Sequence, residues 1–111
     1  VSNLVSISDS DFEVQAIRSD LPVLLDFTAS WCAPCKALLP ALEDVAAAVA
    51  GRGRILKIDV DDNPDLAKRF EVRGVPTLIL MKDGEVKERL MGQHSRGKLL
   101  AKFEQYIEEA N

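Results

Sequence analysis

Cys32 and Cys35 are the only two cysteines among the 111 residues, and they are separated by Ala33 and Pro34. That spacing suits a disulfide that forms and breaks. In a regular helix, side chains three apart have Cβ atoms about 5–6 Å from each other, whereas a relaxed disulfide needs them near about 3.5–4.5 Å. Cys32 is therefore expected at a helix start, where the backbone is not yet regular. Pro34 fits this placement, because first-turn amides have no helical partner to lose. The unpaired N–H groups and the dipole of a helix start stabilise an anion, which favours a thiolate at Cys32. Cys32 would then attack a foreign disulfide, and Cys35, deeper by one turn, would resolve the mixed disulfide. Trp31 beside Cys32 offers a flat apolar surface to a docking substrate. Other readings of the spacing are half a zinc site or two buried structural cysteines. A structural zinc site takes about four ligands; two cysteines and the single His94 fall short within one chain, and no cofactor or metal is expected. A four-thiolate site shared between two chains stays open.

A second candidate group is Asp26, inside the apolar run Val23-Leu24-Leu25-Asp26-Phe27. A carboxylate is costly there, and burial raises its pKa toward that of a general base. The structural alternative is an acid bonded to backbone or paired with a cation. Lys57, likewise isolated in the apolar stretch Ile55-Leu56-Lys57-Ile58-Asp59-Val60, is the cation expected. The residues alone leave the two readings even.

The elements that would position these groups alternate between strand and helix. Residues 4–7 alternate weakly, as a short first strand does. Ser10-Asp11-Phe12-Glu13 has capping-box spacing and predicts a short helix that Asp20-Leu21-Pro22 ends. The run 23–27 reads as a central strand covered on both faces. A long helix is expected from Pro34 to Ala50, with Leu38, Leu42, Val45 and Val49 forming its apolar stripe, widened by Leu39 and Ala46. Pro40 inside it predicts a kink, and Gly51-Arg52-Gly53 closes it. Residues 55–60 predict a second central strand. Asn63-Pro64 reads as an N-cap followed by proline at the first helical position, with a helix to Phe70. Residues 77–81 and 86–91 predict a hairpin around Asp83-Gly84. A last helix over 95–109 is expected to bury Leu99, Leu100, Phe103 and Ile107. Strands linked through helices are parallel and the hairpin is antiparallel, so the fold class is α/β, a mixed sheet with helices on both faces. The cysteine segment then lies at the carboxyl end of a strand, where α/β sheets carry their sites.

Composition bounds the partners. Fourteen basic residues against 18 acidic ones leave a net charge of -4, which disfavours nucleic acid and anionic lipid. No apolar run reaches bilayer length, and the N-terminus carries neither a basic leader nor an apolar core. A single domain over residues 1–111, a monomer and a cytoplasmic location are expected.

Trp31-Cys32-Ala33-Pro34-Cys35-Lys36 closely resembles the signature of the thioredoxin family. The strand 23–27, Ile58-Asp59-Val60-Asp61, Arg73-Gly74-Val75-Pro76-Thr77, Lys82-Asp83-Gly84 and Gly92 extend the resemblance over nearly the whole chain. It implies the thioredoxin fold, a five-stranded mixed sheet flanked by four helices, and dithiol–disulfide exchange with disulfide-containing protein substrates, recharged by thioredoxin reductase. It implies Cys32 as nucleophile, Cys35 as resolving thiol, and Asp26 as the acid that relays a proton for Cys35. It also implies a cis peptide bond before Pro76, and a shallow substrate groove framed by Trp31, Pro34, Gly74, Val75, Pro76 and Gly92. For Gly74 and Gly92, plain turn geometry is the alternative reading. Ala33 stands where the family usually has glycine, and Thr28 where many members have an aromatic residue. Gln93 and His94 follow Gly92 near the groove rim; His94 reads as a solvated loop residue. The competing functions are a more oxidising isomerase or oxidase on the same fold, and a redox-independent binding module.

Overall fold

Strand β2 (Val23–Thr28) runs through the middle of a five-stranded sheet ordered β1-β3-β2-β4-β5. The structure is a computed structural model that describes residues 4–108. β1 (Val5–Ser6) and β3 (Arg54–Asp59) lie parallel to each other, and β3 lies parallel to β2. β4 (Thr77–Lys82) runs antiparallel to β2, and β5 (Glu85–Met91) antiparallel to β4. The hairpin turns at Asp83 and Gly84, both at positive φ (55° and 77°), as the tight turn matched to strand twist requires.

Alternation along β2 divides the core. Leu24 faces a cluster containing Leu38, Leu42 and Val45 of helix α1 (Ala33–Ala48) and Leu99 and Phe103 of helix α3 (Arg96–Glu108). Val23, Leu25 and Phe27 face the opposite cluster, with Phe12, Ala16 and Leu66. Leu66 belongs to helix α2 (Pro64–Arg69), and Ala16 to a π-helical turn, Glu13–Ile17. Each of these fully covered large side chains contributes about 1.5–3 kcal/mol of burial. By the two-residue period of a strand, Asp26 shares the face of Leu24 and looks toward α1.

Several local expectations are corrected. No capping box forms at Ser10: the hydroxyl and amide of Ser8 both bond Asp11 Oδ2, at 3.2 and 3.3 Å. The helix that follows is a single wide turn, closed by an Arg18 N–H to Glu13 carbonyl bond of 3.0 Å. Asn63 precedes α2, and Pro64 opens it, but the Asn63 side chain makes no cap bond. It instead accepts from the Asp9 amide (3.0 Å) and donates to the Asp59 carbonyl (3.0 Å), joining the segment after β1 to the end of β3. Pro40 lies inside helix α1, as expected, and is exposed, so water can serve the carbonyl that proline leaves free. Leu100 and Leu39 are only half-buried; Tyr106 completes the α3 stripe and donates to Glu88 Oε2 of β5 at 2.7 Å. The Ser95 hydroxyl caps α3 by accepting from the Lys98 amide at 3.2 Å. The expected end of that helix at Glu109 lies outside the described residues.

Candidate redox site

Cys32 is the N-cap residue of α1, in extended conformation (φ -90°, ψ 103°), and Cys35 lies in the helix's first turn. The pair is joined as a disulfide with a Cα separation of 5.3 Å, within the usual span for such a bond. The Cys35 amide donates to Cys32 Sγ at 3.1 Å. A first-turn N–H with no helical partner is thus aimed at the sulfur, which gives the stabilisation of a thiolate a definite donor. The Val75 carbonyl oxygen stands 3.7 Å from the same sulfur. Ala29, Val60 and Val75 pack around the pair. In this disulfide form Cys32 is no more exposed than Cys35, each at 3%; the difference in depth expected between them is not one of exposure, because Ala29 and Val75 cover the first cysteine.

β2 leads into this turn and carries Asp26, which is 2% exposed. Its Oδ1 has no hydrogen-bond partner among the described residues. Burial pushes the carboxyl up from 3.8 to about 6, and the positive charge of Lys57 pulls it partly back. Lys57 is the residue directly beside Asp26 in the β2–β3 register. Lys57 also lines an open cleft of about 660 Å³ whose wall includes Cys35, Lys36 and Leu39. The two charged groups singled out in the sequence are therefore neighbours, and one of them shares a solvent cleft with a redox cysteine.

The proposed groove residues fall into two groups. Trp31, Gly74 and Val75 line a shallow depression of about 110 Å³ together with Val60, Val72 and Arg73. Trp31 is 68% exposed, and its Nε1 donates to Asp61 Oδ2 at 2.8 Å. Pro34, Pro76 and Gly92 are not part of that depression. The Gly92 amide donates to the Pro76 carbonyl at 3.1 Å, and Gln93 Nε2 donates to the Pro34 carbonyl at 2.5 Å. The Val75–Pro76 bond is cis, and Gly92 has φ 75°. A Cβ at Gly74 would meet nothing within 4 Å. His94 turns its Nε2 to the Met91 carbonyl at 3.0 Å and is half-buried.

Sequence reasoning missed Asp61 as the partner of Trp31, and Val60, Val72 and Arg73 as groove lining. One signal was present: Asp59-Val60-Asp61-Asp62 follows a strand, and Asp59 Oδ1 accepts from the amides of Asp61 and Asp62 at 2.8 and 3.2 Å. Such an Asx turn is readable from residue types.

A cysteine pair at a helix start, following a central strand of a mixed five-stranded sheet with helices on both faces, defines a thiol–disulfide exchange protein of the thioredoxin fold. The family model described as thioredoxin matches residues 3–105. The chain is 41% identical over 107 residues to a thioredoxin of Haemophilus influenzae, covering 96% of this chain and all of that one. It is 40% identical over 106 residues to thioredoxin C-2 of Corynebacterium nephridii, covering 96% and 98%. It is 38% identical over 110 residues to a thioredoxin of Mycobacterium bovis, covering 99% and 95%. The chain belongs to the thioredoxin family and is a protein-disulfide reductase whose redox pair is Cys32–Cys35.

Proposed function

We propose that Cys32 is the attacking thiolate and Cys35 the resolving thiol of a general reductase of protein disulfides. In the dithiol form, Cys32 Sγ attacks one sulfur of the substrate disulfide. That bond breaks and the distal substrate sulfur leaves as a thiolate. Cys35 then loses its proton, with Asp26 as acceptor and Lys57 steadying the charge that results. The Cys35 thiolate attacks Cys32 Sγ and releases the second substrate sulfur. Two electrons pass to the substrate, and the disulfide form remains. Thioredoxin reductase is the donor that restores the dithiol. Trp31, Gly74 and Val75, with Pro34, Pro76 and Gly92 at the edge, receive an extended substrate segment, whose backbone pairs with Val75 as an added strand would.

The observation that carries the assignment is the Cys35 amide pointing at Cys32 Sγ from the first turn of α1. Thioredoxins are themselves among the proteins behind the rule that helix starts acidify a thiol. The remaining features fit a monomer of one domain acting in the cytoplasm, with no nucleic acid or membrane partner. No helix among the described residues is long and apolar enough to cross a membrane. The test is a trapping experiment. Cys35→Ser is expected to accumulate a covalent adduct with a disulfide substrate, and Cys32→Ser none. Equal trapping by both variants would sink the assignment.

A further inference from the structure

We propose that Met91 is a peroxide-sensitive modification site, and that its sulfoxide weakens substrate docking without altering the Cys32–Cys35 pair. The inference rests on the docking groove proposed above. The chain has two methionines. Met81 is 2% exposed and Met91 is 54% exposed, although both lie in strands of the sheet. In the disulfide form both cysteines are already oxidised and covered. That leaves the Met91 thioether as the accessible soft sulfur. Hydrogen peroxide is the oxidant. A sulfur lone pair attacks one peroxide oxygen, the O–O bond breaks and water leaves. The sulfur loses two electrons and the peroxide is reduced.

The consequence follows from one hydroxyl. Thr77 lies opposite Met91 in the β4–β5 register. Its Oγ1 donates to the Gly74 carbonyl at 2.6 Å and lies 3.4 Å from Met91 Sδ. A hydroxyl has a single hydrogen, and a thioether is a weak acceptor, so Gly74 holds that hydrogen. A sulfoxide oxygen built on the same sulfur is a strong acceptor and competes for it. Gly74 opens the segment that places the Val75 carbonyl beside Cys32. Met91 is also the residue before Gly92, whose amide holds the Pro76 carbonyl. Oxidation at Met91 therefore acts, through the Thr77 hydroxyl, on the Gly74 end of the segment 74–76.

The test treats the full chain in its disulfide form with dilute hydrogen peroxide, removes the peroxide, reduces the cysteines with dithiothreitol and measures turnover. A disulfide-linked two-chain peptide reports docking, and cystine reports the chemistry. Expected are one added oxygen on Met91 and none on Met81. KM for the peptide is expected to rise about three- to tenfold, the worth of one hydrogen bond. The rate with cystine is expected to stay the same. A methionine sulfoxide reductase supplied with dithiothreitol is expected to restore KM. Met91→Leu is expected to show the same KM before and after peroxide. The inference is overturned if peroxide leaves Met91 unmodified. It is also overturned, by itself, if Met91 sulfoxide leaves KM unchanged while Trp31→Ala raises it. If Trp31→Ala also leaves KM unchanged, the docking groove fails and this inference falls with it.

Discussion

Asp26 and Lys57 are paired side by side across the parallel strands β2 and β3, the acid buried and the base half-buried. The sign of the resulting pH dependence follows from the carboxyl rising from 3.8 to about 6 in the folded protein. Between those values the folded state holds a proton that the unfolded state has lost. Stability from this group is full below the unfolded value and is lost as pH rises through the folded one. A shift of this size corresponds to roughly 3 kcal/mol.

Asp26→Asn is therefore expected to be more stable than the parent protein at neutral pH, by roughly 1–3 kcal/mol. The gain is expected to vanish below about pH 4, where the parent acid is protonated in both states. Urea melts at both pH values read this directly. Disulfide exchange by the same variant is expected to slow at neutral pH and to lose its inflection near the Asp26 pKa. A stability gain with an unchanged exchange rate would leave Asp26 a merely structural acid.

Lys57→Met removes the one charge that opposes burial at Asp26. The carboxyl is then expected to titrate higher still, followed by infrared or NMR titration of Asp26 itself. An unmoved titration would mean that solvent in the cleft screens Lys57 from its neighbour.

The indole of Trp31 is held by Asp61 across thirty residues of sequence, at an exposed position. Asp61→Ala is expected to free the ring and raise KM for protein disulfides about two- to fivefold, the worth of a fraction of a hydrogen bond at a wet surface. Thermal stability is expected to stay within about 0.5 kcal/mol, as for other surface changes. Loss of activity on small disulfides as well would place Asp61 in the chemistry rather than in docking.

What the sequence made legible has a common physical origin. The strands β2 to β5, the α1 stripe and the Asp83-Gly84 turn are set by apolar period and local backbone preference, so they lie within a residue or two of their expected bounds. The pairing of Asp26 with Lys57 was legible because each is a charge flanked on both sides by large apolar residues within a strand. Side-chain partners distant in sequence were not. Asn63 has the residue type of an N-cap, yet its amide is drawn to Asp9 and Asp59, which tertiary contact brings within reach. Ser10 makes no cap, because its hydroxyl pairs with the Ser8 hydroxyl at 2.9 Å, within the turn that Ser8 and Asp11 close. The Gln93 bond to Pro34 closes across 59 residues and has no periodic signal at all.

Gly53 supplies the sharpest test of the packing that supports the site. It is buried, and a Cβ there would stand 2.4 Å from Cε1 of Phe103. Phe103 is 1% exposed at the centre of the cluster between α1, α3 and the sheet. The ring is enclosed, so it has little room to give. Gly53→Ala is expected to destabilise the fold by about 1–3 kcal/mol through overpacking. Phe103→Leu alone is expected to cost about 1–2 kcal/mol by loss of buried surface and a residual cavity. In the double variant the added methyl enters space that the ring has left, so the loss is expected to fall short of the sum by at least about 0.5 kcal/mol. Denaturant midpoints with an unchanged slope would measure all three. Strict additivity would show that the Gly53 backbone moves away from the ring instead, and that the close approach is not what selects glycine there.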